Sequence, residues 1–335
     1  MELVRDAVSF LRPPGWRGKT PRPEHLEGAA LFAPDDYVES FDSTEIAYSV
    51  HGTRGPWVVL VPGFVCSDTY WKYLLPELTK DHRVLVYDLR GHGRSGLPRS
   101  PGYRARHLTP DDFAIPNHVL DLEAVMDAAG IERATLIGHS MGGQVIMEAY
   151  RMIPERIASL VMLTAPFESP LRTFYGRDFS SFFHKLRIAG AVLPRPSVLL
   201  WRAAVLGSLG VTHQIGQLMR ALGPYARLED MAPYYRHIAF LDPTVVLMMA
   251  EAMQRHSADD VLETISVPVL IVAGDLDTFT PLPLGRLMAE KIPNAELVVI
   301  EDASHAAVIE KPLEINAAIH RFLTRVEKGE VYLGV

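Results

Sequence analysis

One cysteine, Cys66, stands among 335 residues, so no disulfide can form within the chain. Neither a Cys cluster nor a His-Glu-x-x-His run is present to build a metal centre, and no cofactor is expected. Basic residues are outnumbered: 33 Lys and Arg against 40 Asp and Glu give a formal net charge of -7. That balance argues against nucleic acid or an anionic membrane as partner, because both select a basic face. No apolar run approaches the ~20 residues that a membrane-spanning helix needs. Charges at Glu2, Arg5 and Asp6 break any signal-like apolar segment near the start, so the expected compartment is the cytoplasm. Internal repeats and low-complexity tracts are also lacking. No motif speaks to oligomeric state. What remains is 48% hydrophobic, enough to bury a large core in one elaborated domain.

What is present is organised around Ala134-Thr-Leu-Ile-Gly-His-Ser-Met-Gly-Gly143. A short apolar run meets a serine flanked by glycines and passes directly into a helical pattern. Gly138-x-Ser140-x-Gly142 fits a nucleophile elbow, in which a strand turns so sharply into a helix that the serine sits at the apex in a strained conformation. A Cβ at position 138 or 142 would collide with the adjoining strand or helix, which explains the glycines. The same turn aims the first free N–H groups of the helix at whatever Ser140 attacks, favouring developing negative charge.

The rest of the chain frames this turn. Residues 1–35 hold the Pro-rich, charged run Arg12 to Pro23 and read as an arm with Trp16 as anchor. Tyr37 to Phe41 and Glu45 to His51 read as a hairpin turning at Asp42-Ser-Thr. Trp57–Val61, Arg83–Asp88 and Ala158–Leu163 are apolar runs of strand length, the pattern of strands covered on both faces. Helical patterns fill the intervals, one opening near Asp68 and one from Asn117 to Ala129. From 168 to 263 no strand run occurs, apolar positions recur at three and four, and Asp242-Pro243 reads as a helix start. Strands return at Val267–Ala273 and Glu296–Ile300, with helices from Pro281 and from Pro312. The expectation is an α/β fold, a doubly wound, mostly parallel sheet, whose core is residues 36–167 and 264–335, interrupted by an all-helical cap over 168–263.

A serine hydroxyl needs a base to remove its proton, and the base needs a carboxylate to fix its tautomer. Of thirteen histidines, His305 alone lies in the loop between the last strand and the last helix. The loop after the strand over 267–273 offers two acids, Asp275 and Asp277. Both loops lie at carboxyl ends of strands, where sites in open parallel sheets gather. The Gly63 that ends an early strand is a place for an oxyanion-binding N–H.

With these residues in place, the chain from 37 to 327 resembles the α/β-hydrolase superfamily. That resemblance implies the order Ser140, Asp277, His305. Gly274-Asp-Leu-Asp277-Thr-Phe-Thr-Pro281 matches the family's Gly, acid, Pro spacing, which favours Asp277 over Asp275. It also implies that Asp88-Leu-Arg-Gly-His-Gly-Arg-Ser95 is a structural loop, so that His92 is not the base, and that the Phe64 and Met141 N–H groups form the oxyanion hole. Pro62 replaces the family's frequent histidine there. Glu168 is the reserve acid, since some members place it after the preceding strand.

Around this centre, Trp201, Tyr234, Tyr235, Met248, Met249 and Phe279 are candidates for the substrate pocket; Trp201, Tyr234 and Tyr235 read equally as the cap's own core, and Met248 and Met249 read more as packing than as chemistry. His139, His320 and Cys66 read as packing. Arginines 83, 90, 94, 99, 104 and 106 read as a solvated rim, with Arg104 or Arg106 available to an anionic substrate. The resulting expectation is a cofactor-independent serine carboxylesterase acting on a small to medium, largely apolar ester through an acyl-enzyme. Lactonase, thioesterase, carbon–carbon bond hydrolase and perhydrolase chemistry use the same residues. A ligand receptor or scaffold on this fold is the non-enzyme alternative.

Overall fold

The computed structural model describes residues 31, 33–99, 107–170, 185, 194–218 and 220–330. The arm's Trp16 and the candidate anion-binding Arg104 and Arg106 lie outside these residues. Eight strands form one sheet: β1 (Asp36–Glu39), β2 (Glu45–His51), β3 (Trp57–Val61), β4 (Arg83–Tyr87), β5 (Ala134–His139), β6 (Ile157–Leu163), β7 (Val269–Gly274) and β8 (Ala295–Ile300). Their spatial order is β1-β2-β4-β3-β5-β6-β7-β8. The two pairings that involve β2 are antiparallel, and every other pairing is parallel.

The long helices are α1 (Ile115–Ala128), α2 (Met141–Met152), α3 (Pro194–Leu206), α4 (Leu209–Leu218), α5 (Leu228–Phe240), α6 (Pro243–Met253), α7 (Leu282–Lys291) and α8 (Pro312–Glu327). Period-2 geometry sends alternate residues of each central strand to opposite layers. Val59, Val61, Leu136, Leu160 and Ile271 meet α1, α2 and α7 through Val119, Leu122, Val145, Ile146 and Met288. Val58, Leu60, Ile137, Val161 and Val272 meet the opposite layer, built from Trp71, Leu74 and the α8 residues Ile315, Ile319 and Phe322. With both faces covered, β5 and β7 are buried from end to end, as a nearly continuous apolar run requires.

Local departures from the sequence reading have local causes. The segment from Asp68 is not one helix but a 3₁₀ turn over Asp68–Trp71 and a separate turn of helix at Leu75–Leu78, which has Pro76 in its first turn. Strand β7 begins at Val269 rather than Val267: Pro268 carries no N–H for the ladder, and only its carbonyl accepts from Leu160. Helix α1 starts two residues before Asn117 because Pro116 is accepted in a first turn. An unforeseen turn of helix, Ala307–Glu310, precedes α8. Between β6 and β7 every regular element among the described residues is helical. Asp242 caps α6 by accepting from the Thr244 N–H at 2.7 Å.

Candidate active site

Strand β5 ends in the elbow, and Ser140 adopts φ 52° and ψ -123°, a backbone region that costs a non-glycine residue on the order of 1–3 kcal/mol. The surroundings enforce this turn. A Cβ on Gly138 would stand 2.4 Å from the Gly142 carbonyl oxygen, and one on Gly142 would stand 2.3 Å from that of Val61. The loop after β3 also approaches the elbow closely, because a Cβ on Gly63 would stand 3.0 Å from the Ser140 Cβ. Phe64, the next residue, therefore lies against the elbow, and no hydrogen bond among the described residues engages its N–H. Met141 is the first residue of α2, so its N–H has no acceptor within the helix.

Two further strand ends supply the partners of Ser140. The hydroxyl donates to His305 Nε2 at 2.8 Å, and His305 Nδ1 donates to Asp277 Oδ2 at 2.9 Å. Asp277 is buried. It accepts from the Phe279 and Thr280 N–H groups at 2.8 and 2.9 Å on Oδ1, and from the Thr280 hydroxyl at 2.5 Å on Oδ2. Burial alone would raise its pKa. The charge and hydrogen bond of His305, with those of Thr280, outweigh burial and hold the carboxyl below its ordinary value. Asp277 is thus an ionised acceptor that fixes the imidazole with Nδ1 protonated and Nε2 free to accept a proton. Asp275 is exposed and accepts from the Ala303 N–H at 3.3 Å. Glu168 stands half-buried, its backbone carbonyl accepting from Gln144, while Asp277 occupies the position beside His305.

Residues that the sequence assigned to packing (His139, Cys66) or to a structural loop (His92), together with Thr164, which it did not single out, hold the site in register. His139 Nε2 donates to the His305 carbonyl at 3.2 Å, and Thr164 Oγ1 donates to the same oxygen at 3.2 Å. Because Nε2 of His139 carries the proton, Nδ1 is an acceptor, and the Cys66 thiol lies 3.9 Å from it. Burial takes the His139 pKa down to about 3 and pushes the Cys66 thiol up to about 12, so both are neutral at pH 7 and suited to this relay. His92 acts on the opposite side. Its Nδ1 donates to the Arg90 carbonyl at 3.2 Å, leaving Nε2 to accept from the Val65 N–H at 3.2 Å. Burial holds it neutral, with its pKa lowered to about 4. Val65 has φ 55°, so this bond anchors a strained residue directly after Phe64. The signal available in the sequence was the density of histidine near Ser140, and spacing alone did not pair those rings with their carbonyls.

The structure divides the pocket candidates. The Phe279 ring lies 5.1 Å from that of His305, and Tyr234 lies 5.8 Å from Tyr70, which stacks on His139 at 4.5 Å. Leu241 and Val246 from the helical segment pack with Val65, beside Phe64 and Tyr234. The remaining candidates are engaged elsewhere. The Trp201 indole N–H donates to the Ile238 carbonyl at 2.8 Å and joins α3 to α5, and the Tyr235 hydroxyl lies 2.9 Å from His213 Nδ1. Met248 and Met249 belong to the central apolar core. The arginine rim is corrected by the structure at two positions. Arg90 is completely buried, held by both oxygens of Asp121 and by Asp42, and Arg94 bridges Asp88 and Asp68. They are internal braces because each faces carboxylates that offset its desolvation. No cluster of His, Cys, Asp and Glu suited to a metal ion occurs among the described residues.

A mostly parallel eight-stranded sheet whose fifth strand ends in a strained serine, with an imidazole and a carboxylate at two later strand ends, is the architecture of α/β hydrolases. The chain belongs to the family described as alpha/beta hydrolase fold, whose model matches residues 56–312. A relative in Pseudomonas savastanoi pv. phaseolicola, named "Putative carbamate hydrolase RutD", is 31% identical over 271 residues, covering 80% of this chain and 93% of its own. Among solved structures, a thermophilic esterase from Thermogutta terrifontis aligns with a TM-score of 0.65 at 23% identity, covering 88% of this chain and 99% of its own. The enol-lactonase from Burkholderia xenovorans LB400 aligns with a TM-score of 0.66 at 23% identity, covering 86% and 100%. These structural likenesses concern the fold, and the chain is a hydrolase by family.

Proposed function

We propose that the protein hydrolyses carboxylic esters of small to medium, largely apolar substrates through Ser140, His305 and Asp277. The observation that carries this reading is the unbroken chain from the Ser140 hydroxyl through His305 Nε2 and Nδ1 to the ionised Asp277 carboxylate, each link under 3 Å. Ser140 Oγ attacks the ester carbonyl carbon while His305 Nε2 takes the hydroxyl proton. The carbonyl oxygen becomes an oxyanion, and the Phe64 and Met141 N–H groups are the donors suited to hold it. When the intermediate collapses, the C–O bond to the alcohol breaks and His305 returns the proton to that oxygen. Water then attacks the acyl-enzyme with His305 again as base, releasing the acid and restoring Ser140. The helices between β6 and β7 act as the cap. Apolar surroundings from Phe64, Val65, Tyr234, Val246 and Phe279 support an uncharged, greasy substrate over a charged one.

The relative's name favours a second reading, in which a carbamate carbonyl takes the place of the ester carbonyl and the same serine attacks it. A panel separates the two: p-nitrophenyl esters from acetyl to octanoyl, simple lactones, and carbamate esters assayed by product release. The ester reading expects Ser140-dependent turnover that improves with acyl length before steric exclusion. Turnover of carbamates alone would favour the second reading. Tight ligand binding without turnover of any member would overturn both in favour of a receptor or scaffold.

A further inference from the structure

Glu310 closes the unforeseen turn of helix after the His305 loop and is 7% exposed. Its carboxylate has three partners. Oε1 accepts from the Gly223 N–H and from the Ser304 hydroxyl, both at 2.6 Å, and Oε2 accepts from the Ser304 N–H at 2.9 Å. Ser304 directly precedes His305, and its Oγ also accepts from the Ala306 N–H at 3.2 Å. The N–H groups of the residues on both sides of His305 are therefore tied to this carboxylate, that of Ser304 directly and that of Ala306 through the Ser304 hydroxyl, which also lies 3.3 Å from the Ala221 carbonyl.

The Gly223 arm reaches a different part of the molecule. Residues 220–223 lie in the helical segment between β6 and β7, after α4. A Cβ on Gly223 would stand 2.8 Å from Glu310 Oε2, so the glycine allows this close approach. Three residues upstream, the Arg220 carbonyl accepts from the Thr278 hydroxyl at 3.1 Å, and Thr278 adjoins Asp277. One short stretch of the helical segment is thus fastened both to the loop of the acid and to the loop of the base.

Among the described residues, the partners of Glu310 are two peptide N–H groups and a hydroxyl, with no cation. A buried carboxylate held only by neutral donors is a costly way to secure a loop if stability were the sole demand, since an uncharged side chain avoids the desolvation. A carboxylate can, however, accept several hydrogen bonds at fixed angles and hold three donors at once. We propose that Glu310 is a positioning residue: by holding the N–H groups of Ser304 and Ala306 it keeps the His305 imidazole in line with Ser140, and it couples that alignment to the cap through Gly223. This inference rests on the triad reading above.

The experiment is steady-state hydrolysis of p-nitrophenyl acetate by the full chain, its Ser140→Ala control, Glu310→Gln, Ser304→Ala and the double variant. Gln replaces one acceptor oxygen with a donor that faces another donor. Glu310→Gln is expected to lower kcat roughly 10- to 100-fold with KM changed less than about threefold, because misalignment of a reacting group acts on the chemical step. Ser304→Ala is expected to lose less, and the double variant to be no worse than Glu310→Gln, since both belong to one unit. A downfield proton NMR resonance from the His305 Nδ1–H to Asp277 bond is expected to shift or broaden in Glu310→Gln, which reads the alignment without turnover. Gly223→Ala, which displaces the carboxylate from the cap side, is the substitute if Glu310→Gln does not fold. A folded Glu310→Gln with wild-type kcat and an unchanged resonance would overturn the proposal, as would multiplicative losses in the double variant. Absence of Ser140-dependent turnover in the wild type would instead sink the triad reading, and the resonance would then judge Glu310 alone.

Discussion

At the scale of single residues, Asp277 and Ser140, 28 and 165 positions from His305 in the chain, meet it because all three follow the carboxyl ends of strands in one sheet. They were legible in the sequence as a set, since a glycine-flanked serine, a Gly-acid-Pro loop and a late loop histidine each carry a local pattern. The residues that orient them were not legible. His139 and Thr164 act through the His305 carbonyl and Cys66 through a ring nitrogen of His139, contacts that leave no spacing rule, and Arg90 looked like a surface charge until its carboxylate partners were placed around it. Replacement of His305 by Ala should lower kcat/KM by at least about 10³-fold, because the serine loses its base. Asp277→Asn should cost on the order of 10³–10⁴-fold by favouring the wrong tautomer, whereas Glu168→Gln should leave activity within about threefold. Initial rates on one ester decide both. A larger loss in Glu168→Gln than in Asp277→Asn would reverse the assignment of the acid.

At the scale of elements, the elbow and the loop after β3 act as a pair. Gly138→Ala sets a Cβ 2.4 Å from a backbone oxygen, which has no rotamer to yield. It should destabilise the fold by about 1–3 kcal/mol and reduce kcat together with stability, as urea unfolding and rates on the same preparation will show. His92 tests the partner loop. Loss of its Nε2 acceptor releases the Val65 N–H and the strained peptide beside Phe64, so His92→Ala should lower kcat by roughly tenfold or more with little change in KM, in proportion to the distortion of one oxyanion donor. Unchanged kcat would show that the Phe64 N–H keeps its place without that bond. Strand positions were readable here because burial on both faces demands apolar runs. The short turns at Asp68–Trp71 and Ala307–Glu310 were not, because four residues are too few to display a helical period.

At the scale of the whole molecule, the fold followed from the alternation of apolar runs with helical patterns, and the arginine braces and buried histidines came only with the packed interior. Those histidines set a pH dependence. Burial lowers the pKa of His92 to about 4 and those of His139 and His237 to about 3, and drives His118 well below its ordinary value. The ring of His237 faces His92 at 6.0 Å, with Asp88 opposing and Arg94 reinforcing its shift. Below pH ~6.5 the unfolded chain binds protons that the folded chain refuses, so each of these groups removes up to ~1.4 kcal/mol of stability per pH unit until its folded value is reached. Asp277 acts lower. Its depressed folded pKa contributes stability above the unfolded value near 4, and that contribution disappears as pH falls through the folded value. The urea midpoint should therefore drop steadily from pH 6.5 to 4.5, and His237→Asn should flatten the slope. A midpoint constant over that range would contradict buried neutral histidines.

The most direct test of the central claim is mass spectrometry of the protein quenched within milliseconds of mixing with a p-nitrophenyl ester. A serine activated by His305 and Asp277 predicts an acyl adduct on the peptide containing Ser140, formed with the burst of nitrophenol and absent in His305→Ala. Steady turnover with no adduct, or turnover that persists in Ser140→Ala, would contradict the account.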